Sequence, residues 1–386
     1  MTQSFDVVIV GGGITGCAAA YELATSGANV AVIEQYELAT MGSGRTLAGV
    51  RQSGRHPDEL PLAIAAVKRW QQLGEELHAD LEYRQHGNLR LAEDDADVAL
   101  IRKMVGEQHE LGLEVQFLDG SDAVRDVAPA LSESIQAASF TPSDGHANPI
   151  ATVRAYADAA GRAGAQIQTG TTVTGLETQN GRIAGVRTDS GSLAADKVVV
   201  ACGIETPEVL RLVGLELPIS LALVPVIQTV PIAPLLDQVL GTAKAHFAAR
   251  QEAGGRMRFS SGGHPVDLTP DEVTEDLMQP SCTRAGETLM RGVSIIPELS
   301  DVPVNQIWGG LVDLTADGVP VIDEVTGIPG LFVAAGFCGH GFCLGPVSGE
   351  IIADLIHNRD SRFSLEPFRW NRLVGHEQSY SPELLG

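Results

Sequence analysis

Long apolar runs are missing from this chain, and so is a cationic surface. No stretch approaches the roughly 18 consecutive apolar residues that a membrane-spanning helix needs, so no membrane span is expected. Lys and Arg number 26 against 49 Asp and Glu, a formal net charge of −23. That balance argues against binding nucleic acid or an anionic membrane surface. Cysteine is sparse: Cys17, Cys202, Cys282, Cys338 and Cys343 form an odd, scattered set without a C-x-x-C pair. A disulfide framework is therefore not expected, and neither is a zinc or iron–sulfur site within the chain. Cys338 and Cys343 read as small buried thiols. The first strand begins at Phe5 without a charged and then apolar leader, so a cytoplasmic protein is expected. Internal repeats and low-complexity segments are also missing.

What is present is the profile of an α/β enzyme: 386 residues, 44% hydrophobic, 19% charged, with 43 glycines spread along the chain. The length suits two lobes and a sizeable core. The most informative stretch is Phe5 to Glu34, FDVVIVGGGITGCAAAYELATSGANVAVIE. Val7 to Val10 reads as a buried parallel strand, Cys17 to Thr25 as an amphipathic helix ended by Gly27, and Val30 to Ile33 as a second strand ending at Glu34. Between strand and helix, Gly11 permits the tight turn, Gly13 lets a pyrophosphate approach the backbone, and Gly16 lets helix and strand pack closely. The start of the helix offers unpaired N–H groups and the positive end of its dipole to phosphates. Glu34 is placed to accept hydrogen bonds from a ribose hydroxyl, and no Arg follows it to welcome a 2′-phosphate. This order of parts points to an ADP-containing dinucleotide and leaves NAD and FAD both open.

Gln35 to Arg55 is rich in Gly and Ser, basic, and without apolar periodicity, which reads as a functional loop suited to passing along a flavin. His56-Pro57-Asp58 starts a helix with Leu60, Leu62, Ile64, Ala65, Val67 and Trp70 on its buried face. Tyr83 to Leu91 reads as a strand, followed by a polar helix over about 94–111 and the short strand Val115 to Leu118. A helix from Ile150 to Gly161 returns the chain to the first lobe. Short strands follow at Gln166 to Thr174, Gly175 to Thr178 and Ile183 to Thr188, the last two joined by an Asn180-Gly181 hairpin turn. Val198 to Val200 is another buried strand, ending in Ala201-Cys202-Gly203. Leu210 to about Ile307 alternates and is broken by Gly and Pro, as in a largely antiparallel sheet. Asn305 to Asp323 leads back to the first lobe, and Leu331 to Ala334 runs into Gly336, Gly339, Gly341 and Gly345 before a helix with Pro346 in its first turn. Three strands thus end in small-residue turns. A nicotinamide enzyme needs only the first, whereas a bound FAD crossing the lobe uses all three, with the last helix N-terminus stabilising the reduced ring.

The segments GGGITG, GSGRTLAGVR, DGHANP, ACGIETP, DLTADGVPVID and AAGFCGHGFCLGP together resemble the D-amino-acid oxidase and sarcosine oxidase family of FAD enzymes, from Phe5 to about Arg372. AGVRQSGRHPDELPLA and EYRQHGNLRLAE narrow the resemblance to the β-subunit type of heteromeric opine (octopine and nopaline) oxidases, D-hydroxyproline dehydrogenase and hydrogen cyanide synthase. The resemblance implies a Rossmann-like FAD-binding domain (1–80, 142–208 and 308–372), an inserted antiparallel-sheet substrate domain (81–141 and 209–307) and a C-terminal tail (373–386). It implies hydride transfer to flavin N5 from the carbon alpha to an amine nitrogen, giving an imine that water hydrolyses. The substrate would be a secondary amino acid or an opine. Partners would be an α-subunit and a small iron–sulfur subunit, with room for an FMN at an interface. A self-sufficient glycine- or sarcosine-type oxidase making peroxide, and a flavin-bound subunit serving assembly or electron transfer, stay open beside it.

By the same resemblance FAD would touch Gly11, Gly13, Ile14, Thr15 and Gly16, then Glu34 and Gln35, then Ser43, Arg45, Thr46, Gly49 and Val50. Further contacts would come from Val173, Cys202 and Gly203, and from Gly336, Gly339, Gly341, Phe342, Leu344 and Gly345. Arg51 and His340 would sit near the isoalloxazine ring. Gly310 falls where one relative carries a flavin-linking Cys, and Pro149, with His146 displaced nearby, where another carries an FMN-linking His, so the flavin is expected to be non-covalent. Arg258 takes the place of an oxygen-activating Lys, which implies a poor oxidase, and Cys343 that of a Lys pairing with the substrate carboxylate. Carboxylate-binding candidates are Arg51, Arg55, Arg258 and Arg284, each with the alternative of a surface Arg paired to an acid. His264 either lines the pocket or is an exposed loop His; no general base and no metal ligand set is assigned.

Overall fold

The computed structural model of the chain describes residues 3–268 and 272–373; past Leu373, the expected tail lies outside the described residues. Val7–Val10 is apolar at every position because it is flanked on both sides. Strand Gln3–Val10 pairs in parallel with Gly191–Val200 and with Val30–Ile33, and these are extended by parallel Leu331–Ala335 and Gln166–Gln168. Such strands are covered on both faces and need continuous apolar runs, which Val30–Ile33 and Leu331–Ala335 also supply. Antiparallel Val321–Glu324 closes one edge. The Asn180-Gly181 turn is present: both residues have positive φ (54° and 75°), joining Val173–Gln179 to Arg182–Thr188.

Helices Ile14–Thr25 and Gly341–Ile356 each follow the C-terminal end of a parallel strand, and they pack on one another. Their closeness depends on glycine. A Cβ on Gly345 would lie 2.8 Å from Ile14 Cγ1, and one on Gly349 would lie 2.7 Å from Ala18 C and Cβ. Gly345, expected to touch the cofactor, is thus a helix-packing residue. The helix also begins earlier than the proline suggested. Pro346 lies inside it, and its missing N–H leaves the Phe342 carbonyl without that helical partner. Helix Leu60–Leu77 buries Leu62, Val67, Trp70 and Leu73 against this pair, while Ile64 and Ala65 are only half-buried. Trp70 Nε1 donates to the Cys343 carbonyl at 2.9 Å.

Among the described residues the second lobe is a nine-stranded sheet fed by two separate parts of the chain. Strands Asn88–Ala92, Gln116–Asp119 and Ala137–Thr141 join six from the later segment: Ser220–Pro231, Val239–Thr242, Phe247–Gln251, Arg256–Ser261, His264–Val266 and Val304–Leu314. Pairing is antiparallel except where Val239–Thr242 meets Asn88–Ala92. The boundary expected at 307/308 falls inside a strand. Val304–Leu314 runs unbroken beside Ser220–Thr229, because its pairing with that long strand continues past Trp308 to Leu314. Helix Cys282–Ile295, which alternation hid, packs on this sheet.

The glycine contact yields a prediction against the usual sign. Gly to Ala inside a helix ordinarily stabilises by about 1 kcal/mol. Gly349→Ala should instead lower stability by about 1–3 kcal/mol through overpacking against Ala18, read as a lower denaturant midpoint at unchanged slope. A raised midpoint would show that the helix pair has slack.

Candidate active site

A deep cleft separates the lobes, and the first glycine turn forms one end of it. Gly11 (φ +112°) lies where a Cβ would be 2.7 Å from Ala201 C and 2.9 Å from Cys202 Cα, squeezed between two strand ends. A Cβ on Gly16 would overlap the Gly11 carbonyl oxygen, so Gly16 serves packing and does not line the cleft. Gly13 precedes the helix without a side-chain cap of its own; instead the Ile14 N–H donates to Ser43 Oγ at 3.0 Å. Glu34 accepts from Gly12 N at 2.6 Å and Tyr36 N at 2.8 Å, which holds its carboxylate at the end of the second strand. Beside it Gln35 donates to Glu205, whose carboxyl burial pushes up to about 7. Thr171, Val173, Cys202 and Gly203 complete this end.

The loop after Glu34 is fixed by the second lobe. It contains a single helical turn, Gly42–Arg45, and the two-residue strand Gly49–Val50 paired with Gly145–His146. Trp308 Nε1 donates to the Arg45 carbonyl at 3.1 Å, and Arg258 Nη1 donates to the Thr46 carbonyl at 2.9 Å. Arg258 is otherwise paired with Glu252 at 2.6 Å and packed over the Trp308 ring, 5.1 Å from its centroid. It does not line the cleft, so the expected catalytic role gives way to holding the loop. Arg45, Thr46 and Gly49 line the cleft, whereas Val50 is in the core.

In the middle of the cleft Arg51, Arg55 and Arg90 converge. Arg51 is held well below its ordinary pKa by burial and by the like charges of Arg55 and Arg90. Arg90 is lowered to about 10 by burial and then by Arg55. Two carboxylates lie behind them. Asp144 accepts from the amides of Gln52 (2.8 Å) and Ser53 (3.2 Å), and burial pushes its carboxyl upward. Glu59, fully buried, lies 3.4 Å from Arg55 and 3.0 Å from His340 Nδ1. His340 immediately precedes the last helix, and burial, followed by the charge of Arg55, pushes it down to about 4. It is therefore a neutral ring donating from Nδ1 to Glu59, with Nε2 buried and unpaired.

Other expected site residues are elsewhere. Cys343 is buried and its thiol, pushed up to about 12 by burial, donates to the Arg51 carbonyl at 3.3 Å; it supports Arg51 and offers a substrate carboxylate no cation. Arg284 is exposed on the helix Cys282–Ile295 and pairs with Glu287 at 2.9 Å. His264 is half-buried in an edge strand outside the lining, although its neighbours Gly262 and Gly263 reach the cleft. Leu344 is core, and Gly336 (φ +69°) makes a turn whose N–H donates to Asp313 at 2.8 Å. Gly339, Gly341 and Phe342 do line the cleft, beside the last helix N-terminus. Arg90, Tyr36, Met41, Leu47, Glu205 and Asp313 also line it without having been singled out. Of these, Leu47, Arg90, Glu205 and Asp313 lay in quoted motifs, but Arg90 stands in an alternating strand pattern that marks a face without naming its neighbour.

The residues present fit a dinucleotide. A cradle bare of side chains at Gly11 and Gly13, a helix N-terminus, an anchored acid at a strand end and a second helix N-terminus all face one cleft. Fold and site together define a two-lobed dinucleotide-cofactor oxidoreductase. The chain belongs to the FAD dependent oxidoreductase (DAO) family, whose profile matches residues 6–355, and it is FAD-dependent. Among curated relatives it is 29% identical to sarcosine oxidase subunit beta of Rhizobium meliloti (strain 1021) over 375 residues, 95% of this chain and 88% of that one. It is 28% identical to glycine oxidase of Geobacillus kaustophilus (strain HTA426), over 97% and 99% of the two chains. Among solved structures, glycine oxidase from Geobacillus kaustophilus superposes with a TM-score of 0.89 at 26% identity, over 97% of this chain and 100% of that one. L-proline dehydrogenase from P. horikoshii gives 0.88 at 27%, over 96% and 99%. No helix among the described residues is long and apolar enough to cross a membrane.

The buried imidazole carries a pH consequence. With its folded pKa depressed to about 4, His340 takes up a proton more readily in the unfolded chain, so its contribution to stability is present above about 6.5 and lost as pH falls toward 4. Glu59, also lowered, acts in the same direction below the ordinary carboxylate range. From the 1.36 kcal/mol per pKa unit relation, the loss attributable to His340 should be on the order of 3 kcal/mol. Denaturant midpoints at pH 7 and pH 4.5 should differ accordingly, and His340→Gln should reduce the difference; an equal slope in both proteins would remove His340 as the cause.

Proposed function

We propose that the protein oxidises the C–N bond of a secondary amino acid or opine to an imine that water hydrolyses, as the catalytic β-type subunit of a heteromeric dehydrogenase. The observation that carries this reading is the buried cation cluster Arg51, Arg55 and Arg90 inside a cleft that ends in two helix N-termini. In a chain of net charge −23, such a cluster suits an anionic substrate group. The names of the relatives, sarcosine oxidase subunit beta, glycine oxidase and L-proline dehydrogenase, agree on amino-acid amines as substrates. They also support a subunit that works with others.

When bound there, FAD would supply the acceptor for a hydride from the carbon alpha to nitrogen. The chain's part is positional. Gly11, Gly13, Glu34 and Ser43 would hold the ADP half, and Thr46, Gly49, Gly339, Gly341 and Phe342 the ring end. Arg51, oriented through its own carbonyl by Cys343, would take the carboxylate. The His340–Glu59 pair, neutral and anionic respectively, would balance Arg55 behind it. No side chain is assigned as base, because an amine that binds neutral needs none. A non-covalent flavin is supported by His146, whose Nδ1 accepts from Arg250 Nη1 at 2.9 Å while burial keeps the ring neutral.

One observation favours a second reading. The case against peroxide production rested on Arg258 over the flavin, and Arg258 is instead engaged with Glu252 and the Thr46 carbonyl. A self-sufficient oxidase is therefore the alternative, and two measurements separate the readings. Anaerobic addition of proline analogues, opines or N-methyl amino acids should bleach the yellow flavin, and its persistence with every amine would end the catalytic reading. An oxygen electrode should then show slow uptake without an added acceptor dye and fast turnover with one; fast, stoichiometric peroxide would favour the oxidase. Acid precipitation should release the flavin into solution, and Glu34→Ala should lower FAD content.

A further inference from the structure

Arg90 is a buried cation with no carboxylate in direct contact among the described residues. It lies in strand Asn88–Ala92, all five residues of which are buried, and it is 6% exposed while lining the cleft. Among the described residues it forms no ion pair within 4 Å, and its Nε has no hydrogen-bond partner there. The carboxylate that acts on it, Asp144, already accepts from the amides of Gln52 and Ser53. Arg55 shows the same deficit at Nη1, likewise buried and unpaired. A buried guanidinium left uncompensated is costly, by several kcal/mol.

The surroundings keep room for a partner. Gly54 (φ +69°) lies under the guanidinium, where a Cβ would come within 2.7 Å of Arg90 Nη1. The strand neighbour facing Arg90 is Gly241, which also lines the cleft and where a Cβ would meet nothing within 4 Å. Arg51 and Arg55 reach the cleft from the loop that follows Gly49–Val50, and Arg90 from the floor of the second sheet. Cations are thus presented from two directions, each with the planar fork that suits a carboxylate.

We infer that Arg90 is a specificity-determining anchor for a second acidic group, so that the substrate is an amine bearing two carboxylates, one held by Arg51 and Arg55 and the other by Arg90. This rests on the reading of the cleft as an amine-oxidising site, and it narrows that reading to a dicarboxylic secondary amine.

Binding of the unreactive pair succinate and butyrate to the holoenzyme, followed by calorimetry, tests the charge count without turnover. The wild type should bind succinate roughly 10- to 100-fold more tightly, the value of a charge-assisted hydrogen-bonded pair. Arg90→Gln, at unchanged FAD content, should abolish that preference by weakening succinate far more than butyrate, while Arg90→Lys should keep part of it. Kinetically, Arg90→Gln should raise KM for iminodiacetate by at least about tenfold more than it raises KM for N-methylglycine. If Arg90→Gln does not fold, Gly241→Val, which fills the space before Arg90, should give the same selective loss. Equal affinity for the two acids in the wild type, or equal weakening of both in the variants, overturns the inference. Failure of every amine to bleach the flavin would overturn the amine-oxidising reading while leaving the calorimetric preference intact, so the two failures are distinguishable.

Discussion

The contact between helices Ile14–Thr25 and Gly341–Ile356 governs the rest of this structure. Both helices follow parallel strands of the same sheet, so both N-termini emerge at the same edge. Gly345 and Gly349 let the axes approach until Ile14 and Ala18 fill the gap. Without that approach the two positive helix ends would diverge. With it they open onto one cleft, and the strand ends at Ala201 and Gly336 have to turn away sharply, which places positive φ at Gly203 and Gly336. The remaining geometry of the site follows from this convergence.

Charge is distributed against the average of the molecule. The surface is acidic, yet the cleft gathers Arg51, Arg55 and Arg90, with Asp144 and Glu59 behind them. Burial lowers Arg51 and Arg90 below their ordinary range and at the same time makes any anion that reaches them interact more strongly, because little water screens the pair. His340 stays outside this balance by remaining neutral, and it thereby keeps Glu59 available to Arg55.

The parallel half of the fold was readable because buried parallel strands need unbroken apolar runs, and Val7–Val10, Val30–Ile33 and Val198–Val200 have them. The glycine turn and the Asn180-Gly181 hairpin were readable for a related reason: backbone conformations that exclude side chains leave a mark in composition. What depends on long-range partners left no mark. Arg90 looks like any residue of an alternating strand until Gly54 and Gly241 are seen around it. The partners of Arg258 and Cys343 are equally hidden in the sequence: Glu252 and Trp308 claim the first, and the Arg51 carbonyl the second. Gly345 carries the same one-letter signal as Gly11 but answers to a helix rather than to a ligand. Likewise, Pro346 suggested a helix start that backbone pairing sets five residues earlier, at Gly341.

The loop 41–46 passes along the cleft wall, yet its backbone carbonyls are held from the opposite lobe, by Trp308 and Arg258, while Arg45 returns a hydrogen bond to the Gly309 carbonyl at 3.3 Å. The wall of the cofactor site is therefore built from both lobes at once. Neither lobe can open without releasing these hydrogen bonds, which couples opening of the loop to opening of the second sheet. A ligand bound along that wall would slow exchange deep in the second sheet, far from any atom it touches.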